Sequence, residues 1–589
     1  MLKISKAAML AAVLSLSAVP AMGLVGAVAE ERSFTTMADL TTTIAIPTIT
    51  AVDSTMDETA LRDVFTGGFM KHVDELAGLS ATSITIPEIT LKVTVTTPDG
   101  PVVTSVSYKD IVLSGVKDGV AASASVGSAE SSSAEGSFIF GKMAASTFNL
   151  AGILGLYGLV EGGGDQSMQT LYKDFSFDGG SFSGPKASCT FGKVSAAEFD
   201  ARPLKVSFAE LMDASAKLGA AKDNPPPEAV ATLVSFLADI FQAFKSEPMT
   251  IDGLSCKGTA EDGSRFDVAI GGLTVDGYAP GIYPALTVKA IRISDGGVNS
   301  ISLDEAVLKS IDLSAPIAAL EAEGKDLTPA WFEANYRKLI PAFGGISLSG
   351  LAVDVPNLDV AGARIKANIG AFDVTLSDYI NGVPTRIATS ASGIDVPLPQ
   401  DSTDDQVKML LALGLTRVNL GYEFSVAWDK ATETVTVDKL SVSGADLGSI
   451  AVAAVIGNAA EQLFDVDPNV AEAASMGLTL KGVTLDVSDA GLGDILTPML
   501  AAQQGVDPAG YRTQMAGALE GMTLQILGST DAARALGKAV GDFVAGKAKA
   551  LTVDIAAKDP AGIPVPVLMQ AENDPMALTS QVEITGTAK

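Results

Sequence analysis

The chain has 589 residues, enough for roughly four domains of about 150 residues each, and it carries 40 basic against 69 acidic residues, a formal net charge of −29. This excess of acid argues against nucleic-acid binding, since phosphate recognition depends on clustered Lys and Arg. Hydrophobic residues make up 47% of the chain, which excludes global disorder, and a single His with two Cys removes most metal and nucleophile chemistry.

The N-terminus has the pattern of an export signal. Lys3 and Lys6 form a basic start, and Ala7–Ala29 carries no charge. Ala27-Val28-Ala29 fits the small-x-small pattern of signal-peptidase cleavage, and Ala21-Met22-Gly23 is a second candidate. We therefore expect a signal peptide over residues 1–29 and a periplasmic or cell-surface location in a bacterium. The alternative is a retained N-terminal membrane anchor, because 23 uncharged residues can span a bilayer.

The first predicted elements are a helix and a kinked strand. Ser54-x-x-Asp57 predicts a capping box at the start of an amphipathic helix. Apolar residues then alternate over Ile84–Ile86 and again over Ile89–Val95, with the parity reversed across Pro87-Glu88. A bulge at Pro87-Glu88 would keep both apolar sets on one face of a sheet.

Cys189 and Cys256 are the two cysteines, and both lie in strand-like surroundings. In an oxidising compartment they can form a disulfide between neighbouring sheet segments. Two unrelated buried thiols are the alternative.

Four further helical regions follow. Pro225-Pro226-Pro227 marks a helix start, Thr328-Pro329 predicts an N-cap with Pro at the first helical position, and Ser402-x-x-Asp405 predicts another cap. Ala-rich helical sequence fills about 490–550. We interpret the apolar stripes of these helices as cover for a core rather than as membrane anchors.

A long hairpin is predicted from Tyr422 to Val437, with its turn at Asp429–Thr432. Trp428 is expected to pack on this hairpin, and ligand stacking is the alternative for its ring.

Internal repeats run through the chain. Tyr108-Lys109-Asp110-Ile111 recurs as Tyr172-Lys173-Asp174-Phe175, and Phe140-Gly141-Lys142 recurs as Phe191-Gly192-Lys193. A ten-position pattern over 346–355 returns over 478–487, with a Gly at each change of apolar parity. We interpret these as loosely duplicated strand–bulge–strand units, each followed by a helix.

The predicted fold class is α+β and β-rich: elongated, curved antiparallel sheet units with bulges, covered by amphipathic helices. We predict three regions after the signal: 30–224, β-rich with an N-terminal helix and duplicated units; 225–400, a middle α+β region; and 401–589, a C-terminal α+β region. No later segment is apolar for long enough to cross a membrane as a helix.

In its export segment and degenerate sheet units with intervening helices, the chain resembles the AsmA-like and YdgA-like bacterial envelope proteins. The resemblance implies a periplasmic protein with an elongated, curved sheet. For the AsmA-like group it also implies a role in moving or sorting lipid. It assigns no functional residue.

The sequence predicts no catalytic residue, no metal site and no cofactor. His72 lies on the edge of an apolar helical stripe, where a partly buried structural histidine is expected. Asp465-x-Asp467-x-Asn469 resembles the start of a calcium loop, but Val470 and Met476 replace its Gly and Glu, so a helix entry is favoured. Glu161–Asp165 is read as a flexible loop, since no Gly-Lys-Ser/Thr follows.

Three functions remain open on the sequence. The first is a non-enzymatic exported protein that binds or passes lipid or another apolar ligand, or supports envelope integrity. The second is a structural or protein-interaction module with a closed core. The third is a carboxylate-based hydrolase, suggested only by the abundance of acids.

Overall fold

The computed structural model describes residues 40–97, 100–134, 136–160, 167–221, 226–260, 263–296, 299–324, 327–357, 364–400, 402, 404–571 and 576–589. Strands take 48% and helices 29% of these residues. The chain is therefore β-rich with a large antiparallel sheet, as predicted. The predicted signal peptide and the Glu161–Asp165 loop lie outside the described residues.

The described residues form 33 strands, of which 30 belong to one sheet. The strands are β1 (Leu40–Ala45), β2 (Thr50–Val52), β3 (Ala81–Thr97), β4 (Gly100–Lys117), β5 (Val120–Val126), β6 (Ser128–Ser133), β7 (Gly136–Phe140), β8 (Met143–Ala145), β9 (Thr147–Asn149), β10 (Gln169–Phe177), β11 (Gly180–Ser183), β12 (Ala187–Phe191), β13 (Val194–Ala201), β14 (Phe244–Ser246), β15 (Met249–Ile251), β16 (Leu254–Thr259), β17 (Arg265–Ile270), β18 (Gly272–Val275), β19 (Ile282–Tyr283), β20 (Leu286–Asp295), β21 (Asn299–Leu308), β22 (Ile311–Asp312), β23 (Ala342–Phe343), β24 (Gly345–Pro356), β25 (Arg364–Ile380), β26 (Val383–Pro397), β27 (Arg417–Asp429), β28 (Thr434–Gly444), β29 (Gly448–Gly457), β30 (Thr479–Asp489), β31 (Ala550–Ala557), β32 (Ile563–Pro564) and β33 (Val582–Ala588).

The helices of the described residues are α1 (Glu58–Asp63), α2 (Val73–Ala77), α3 (Leu150–Leu156), α4 (Phe208–Ala220), α5 (Pro227–Ile240), α6 (Ser314–Glu323), α7 (Pro329–Asn335), α8 (Asp405–Ala412), α9 (Pro468–Met476), α10 (Leu492–Gln504), α11 (Pro508–Leu527), α12 (Asp531–Val544), α13 (Val565–Ala571) and α14 (Met576–Thr579). Short 3-10 helices cover Phe69–Lys71, Tyr336–Leu339 and Glu461–Phe464, and a π-helical turn covers Val64–Gly68.

The sheet is a meander in which strands pair antiparallel with their neighbours along the chain. From β20 the order is β20, β21, β24, β25, β26, β27, β28, β29, β30, β31 and β33. Between β4 and β20 each long strand is replaced by two shorter ones. These form two lanes, one through β6, β7, β11, β12, β16 and β17 and the other through β5, β8, β10, β13, β15 and β18. Pairing continues across the predicted boundaries at 224/225 and 400/401, which stay predictions.

The predicted repeats occupy equivalent positions in the sheet. Asp110 of β4 and Asp174 of β10 both have a left-handed backbone, with φ of 53° and 48°. The preceding lysines make cross-strand ion pairs with glutamates, at 3.2 Å for Lys109 and 2.9 Å for Lys173. The ten-position pattern forms β24 and β30, as predicted for a strand unit. Among the described elements, β30 is followed by α10 whereas β24 is followed by β25, so the expectation that each unit precedes a helix is met for β30 and not for β24 within the described residues.

Irregularities in mid-strand keep apolar side chains on one face. Ile84, Ile86 and Ile89 are all buried although the parity changes between them, as predicted. The predicted bulge at Pro87-Glu88 is wrong, because the β3–β4 register continues there without an extra residue on either strand. Asp110, which has a left-handed backbone and lies opposite Pro87, gives β4 a matching change of parity. In β30 the register with β29 shifts between the partners of Val455 and Ile456, next to Gly482, which places the predicted bulge.

Local hydrogen bonds set the helix starts. Thr328 caps α7, as predicted, its Oγ1 accepting from the Trp331 amide at 3.2 Å. The predicted box at Ser54 is wrong: α1 begins three residues later, and Asp57 is its N-cap. Asp404, rather than Ser402, caps α8. Three helices, α10 to α12, fill the Ala-rich region near 490–550, as predicted.

Two buried clusters lie in the N-terminal part of the sheet. The first joins the segment around α1 and α2 to β3 and β4, with Ile49 and Leu79 each 1% exposed. The second surrounds Leu171 and Phe199 of β10 and β13. At the other end of the sheet α12 packs on β31 and β33. No helix packs extensively on β24–β30 among the described residues.

Candidate functional site

Cys189 and Cys256 lie directly opposite each other in β12 and β16. The structure joins them by a disulfide, with their Cα atoms 4.1 Å apart and a sequence separation of 67. Phe182 lies opposite Cys189 on the other side, and Val268 lies opposite Cys256. The bond therefore sits on the apolar side of the sheet, and the oxidation state in solution stays a prediction.

His72 joins two short helical segments. Its Nε2 lies 3.1 Å from Asp63 Oδ2 and its Nδ1 lies 2.9 Å from Glu75 Oε2. The hydrogen bond to Glu75 raises the pKa of the imidazole, and the Asp63 carboxylate adds to this. A neutral imidazole has only one N–H, so both contacts are hydrogen bonds only when His72 is protonated. Through His72, these contacts connect Asp63, which precedes Gly67, with Glu75, which follows it; the φ of Gly67 is positive. The contacts therefore stabilise the local fold, and the group contains no nucleophile.

The acidic sequence at Asp465 is a helix entry. Asp467 is the N-cap of α9 and accepts from the Asn469 amide at 2.9 Å, while Asp465 Oδ1 accepts from the Asp467 amide. These carboxylates are thus used by the backbone. Within the described residues no group of three or more His, Cys, Asp or Glu side chains is arranged to hold a metal ion.

Asp239 is a buried charge with a structural role. It is 2% exposed and accepts from Arg202 Nη2 at 2.6 Å and from the Lys205 amide at 2.7 Å. A buried carboxylate needs such partners to offset its loss of hydration. Both oxygens are satisfied by the connection between β13 and α4, so the group fixes this junction rather than facing a cleft.

One face of the sheet from β24 onward, here called the apolar face, is lined almost entirely by hydrophobic side chains. Directly paired residues in an antiparallel sheet point to the same side. Three paired rows, each eight residues long, define this face. They are Leu348-Phe372-Ala391-Tyr422-Val442-Ile450-Val487-Leu551; Ile346-Val374-Thr389-Phe424-Leu440-Val452-Leu485-Val553; and Leu376-Ile387-Val426-Val437-Ala454-Val483-Ile555-Ile584.

Many side chains of the apolar face are open to solvent. Leu440, Val442 and Ile450 are 50%, 51% and 49% exposed. The rows end beneath α12, where Leu551 is buried at 7% exposure. Since strands lie about 4.8 Å apart and alternate side chains about 6.8 Å, the outermost residues of the three rows span on the order of 34 Å by 14 Å. An apolar surface of this size is comparable to the largest patches that soluble monomers expose, and such patches are often functional.

The opposite side of the same strands, the polar face, carries small and charged residues. One of its rows is Ser347-Asp373-Ser390-Glu423-Ser441-Ala451-Asp486-Thr552. Lys439 Nζ lies 2.7 Å from Glu423 Oε2, and Lys366 Nζ lies 3.5 Å from Asp354 Oδ2. Hydrogen bonding to Arg364 lowers the pKa of Asp354. The sheet thus has one side suited to water and one suited to hydrocarbon.

Two hydroxyl groups interrupt the three rows. Thr389 Oγ1 and the Tyr422 hydroxyl lie 3.3 Å apart, on adjacent strands β26 and β27. The remaining residues of the rows are hydrophobic. Trp428 is paired with Val435 on the same side, but its indole N–H donates to the Ala459 carbonyl at 2.6 Å. Its ring packs edge-on against Phe464 at 5.0 Å, which favours packing over ligand stacking.

A cavity of about 500 Å³ lies near α9, lined by residues that include Asn458, Gln462, Asn469 and Val470. It contains no charged side chain and lies at the end of β29, away from the centre of the apolar face. The cavity therefore gives weaker evidence for a ligand than the apolar face does.

In comparison with known proteins, residues 441–589 match a family model described as "Uncharacterized protein". No curated protein and no solved structure matches the chain. The matched region contains β29 to β33 and the helices α9 to α14, and so includes the C-terminal end of the apolar face. Among the described residues, no helix has the length and apolar character needed to cross a bilayer.

Sequence reasoning missed the extent of the apolar face and the Thr389–Tyr422 pair. The alternation of apolar and polar residues within each strand was predictable from sequence. The apolar face depends in addition on the register that aligns these residues across neighbouring strands. Bulges such as the one between Ala391 and Ile394 decide that alignment. Gly393 with φ of 61° marks this bulge, and a Gly at a change of parity was the available signal.

Proposed function

We propose that this chain is a non-enzymatic, exported envelope protein of the periplasm that binds or passes lipid on the apolar face of its sheet. In this proposal the sheet is elongated and curved, and amphipathic helices cover its N-terminal part and its C-terminal end but not β24–β30. The signal-like sequence at residues 1–29 supports export. The resemblance to AsmA-like and YdgA-like proteins supports the same compartment and ligand class.

The observation that carries the proposal is the apolar face itself. Burying apolar area releases about 25 cal/mol per Å², so leaving hundreds of Å² in water is unfavourable for a chain with no ligand. Hydrocarbon chains are suited to cover this face, because the three rows contain no charged side chain and their polar groups are limited to one hydroxyl pair. A water-soluble substrate would find few hydrogen-bonding groups there.

The test is lipid extraction from protein purified out of the envelope, combined with a pair of variants. Val442→Glu places a carboxylate on the apolar face, whereas Ser443→Glu places one on the polar face of the same strand. Both positions are exposed, so neither change should prevent folding. We expect wild type and Ser443→Glu to carry co-purified lipid and Val442→Glu to lose most of it, because a charge against hydrocarbon is strongly unfavourable.

Mass spectrometry of native protein measures bound lipid directly, and circular dichroism verifies that the variants fold. Wild-type protein that is consistently free of lipid would overturn the proposal. So would equal lipid content in the two variants. A tightly bound partner protein over the face, in place of lipid, would instead favour the interaction-module alternative.

A further inference from the structure

We propose that the Thr389–Tyr422 hydroxyl pair is a binding site for the ester carbonyl of a long-chain acyl lipid. This inference rests on the proposed function, since it places the lipid on the apolar face. It adds a specific contact that fixes which part of the lipid lies at β26 and β27. The ligand class is therefore narrower than hydrocarbon in general.

The argument begins with hydrogen-bond capacity. Each hydroxyl has one O–H donor and two acceptor positions. The 3.3 Å contact between Thr389 Oγ1 and the Tyr422 hydroxyl uses one of the two donors. One O–H therefore remains to donate, and both side chains are only partly buried. A ligand group that only accepts hydrogen bonds, such as a carbonyl oxygen, complements this arrangement.

The surroundings of the pair exclude a charged ligand group at this point. Thr389 is paired with Val374 on one side and with Phe424 on the other, and Tyr422 is paired with Ala391 and Val442. None of these neighbours can neutralise a carboxylate or a phosphate. Placing an unpaired charge among them would cost more than one hydroxyl contact returns. An uncharged ester fits, because its carbonyl needs a single donor.

The position of the pair suits a lipid with chains on both sides of the contact. Along β26 and β27 the apolar face continues past the pair toward Ile387 and Val426 in one direction and toward Ile394 and Leu420 in the other. Across the strands it continues through Val442 to Ile450. An acyl chain leaving the carbonyl therefore meets hydrophobic side chains in each of these directions.

The experiment compares two probes that differ only in the carbonyl. Tritiated dioleoylglycerol carries two ester groups, and its dioleyl ether counterpart has none. Both are supplied from detergent micelles to the full-length purified protein, and their affinities are measured at equilibrium. One hydrogen bond is worth about 0.5–1.5 kcal/mol, so wild type should bind the ester about two- to twelvefold more tightly than the ether.

The variants remove the hydroxyls without changing shape. In the double variant Thr389→Val with Tyr422→Phe, the affinity for the ester should fall to that for the ether, while the affinity for the ether is unchanged. Val and Phe are both good strand formers, so the fold should be retained. Thr436→Val, on the polar face of β28, is the matched control and should keep the preference for the ester.

Each result is decisive. Equal binding of ester and ether by wild type would overturn the inference, as would a preference that survives in the double variant. Either result would leave lipid binding on the apolar face intact. If wild type binds neither probe, the proposed function is overturned as well. The failure of this inference and the failure of the proposed function are therefore distinguishable.

Discussion

The bond between Cys189 and Cys256 should contribute strongly to the stability of the part of the sheet between them. The 67-residue separation encloses β13, α4, α5, β14 and β15, and with them part of the second buried cluster around Phe199. In the chain-entropy model, closing a loop of this length stabilises the folded state by about 4 kcal/mol. Reduction should therefore lower the free energy of unfolding of this segment by about that amount.

The assay has two stages. Intact mass under denaturing conditions, with and without reductant, counts free thiols. Hydrogen exchange then follows peptides from the enclosed segment, which should open more readily after reduction, whereas peptides from β24–β30 should change little. The double variant Cys189→Ala with Cys256→Ala should behave like reduced wild type and should not respond to reductant. Two free thiols in the unreduced protein, or unchanged exchange in the enclosed segment after reduction, would refute the reasoning.

Two further predictions concern the N-terminal helices and the strand irregularities. The pKa of His72 should exceed 6.5, because Asp63 and Glu75 both favour the imidazolium. The stabilisation from these two contacts is therefore fully present below pH 6.5 and is lost as pH rises through the pKa of His72 in the folded state. NMR titration of this single histidine measures that pKa, and a pKa of 6.5 or lower would contradict the geometry. Gly350→Ala should destabilise by about 1 kcal/mol or more in urea unfolding, because φ is 65° and a neighbouring carboxylate fills the space for a Cβ. Gly155→Ala, in a helix with open space around it, should be neutral or stabilising, and equal effects of the two changes would contradict this account.

Strands and helices with strong local signals were predictable. The β27–β28 hairpin pairs Trp428 with Val435 and Asp429 with Thr434 around the expected turn. Thr328 and Pro329 begin a helix as their chemistry dictates. In such cases the preferences of a few adjacent residues agree with the final structure.

Other local signals were ambiguous because neighbouring residues compete for the same role. Ser54 and Asp57 can both cap a helix, and the structure uses Asp57, while Ser54 Oγ accepts from the Met56 amide. Thr55, which lies between the two, packs against Ser80, 25 residues further along the chain: the Thr55 amide donates to the Ser80 carbonyl at 2.8 Å, and the Ser80 amide donates to Thr55 Oγ1 at 3.0 Å. A cap motif read alone cannot include that packing.

The sequence predicted that the sheet has an apolar side, but it did not predict which strands leave that side uncovered. Period-two alternation indicated strands with one apolar side, yet an ordinary core gives the same alternation. What distinguishes the two is whether a second layer covers the face, and no local pattern encodes that. The hydroxyl pair is harder still, because Thr389 and Tyr422 are 33 residues apart and meet only through the β26–β27 register.

The serial pairing of the sheet has a consequence for how such a protein can change in length. Each strand from β20 onward depends mainly on the strands directly before and after it in the chain. A hairpin could be inserted or deleted between two such neighbours with little effect on distant strands, as in other architectures built from nearest-neighbour contacts. Duplication and loss of hairpins would then adjust the span of the sheet in steps of about 10 Å, two strand spacings at a time.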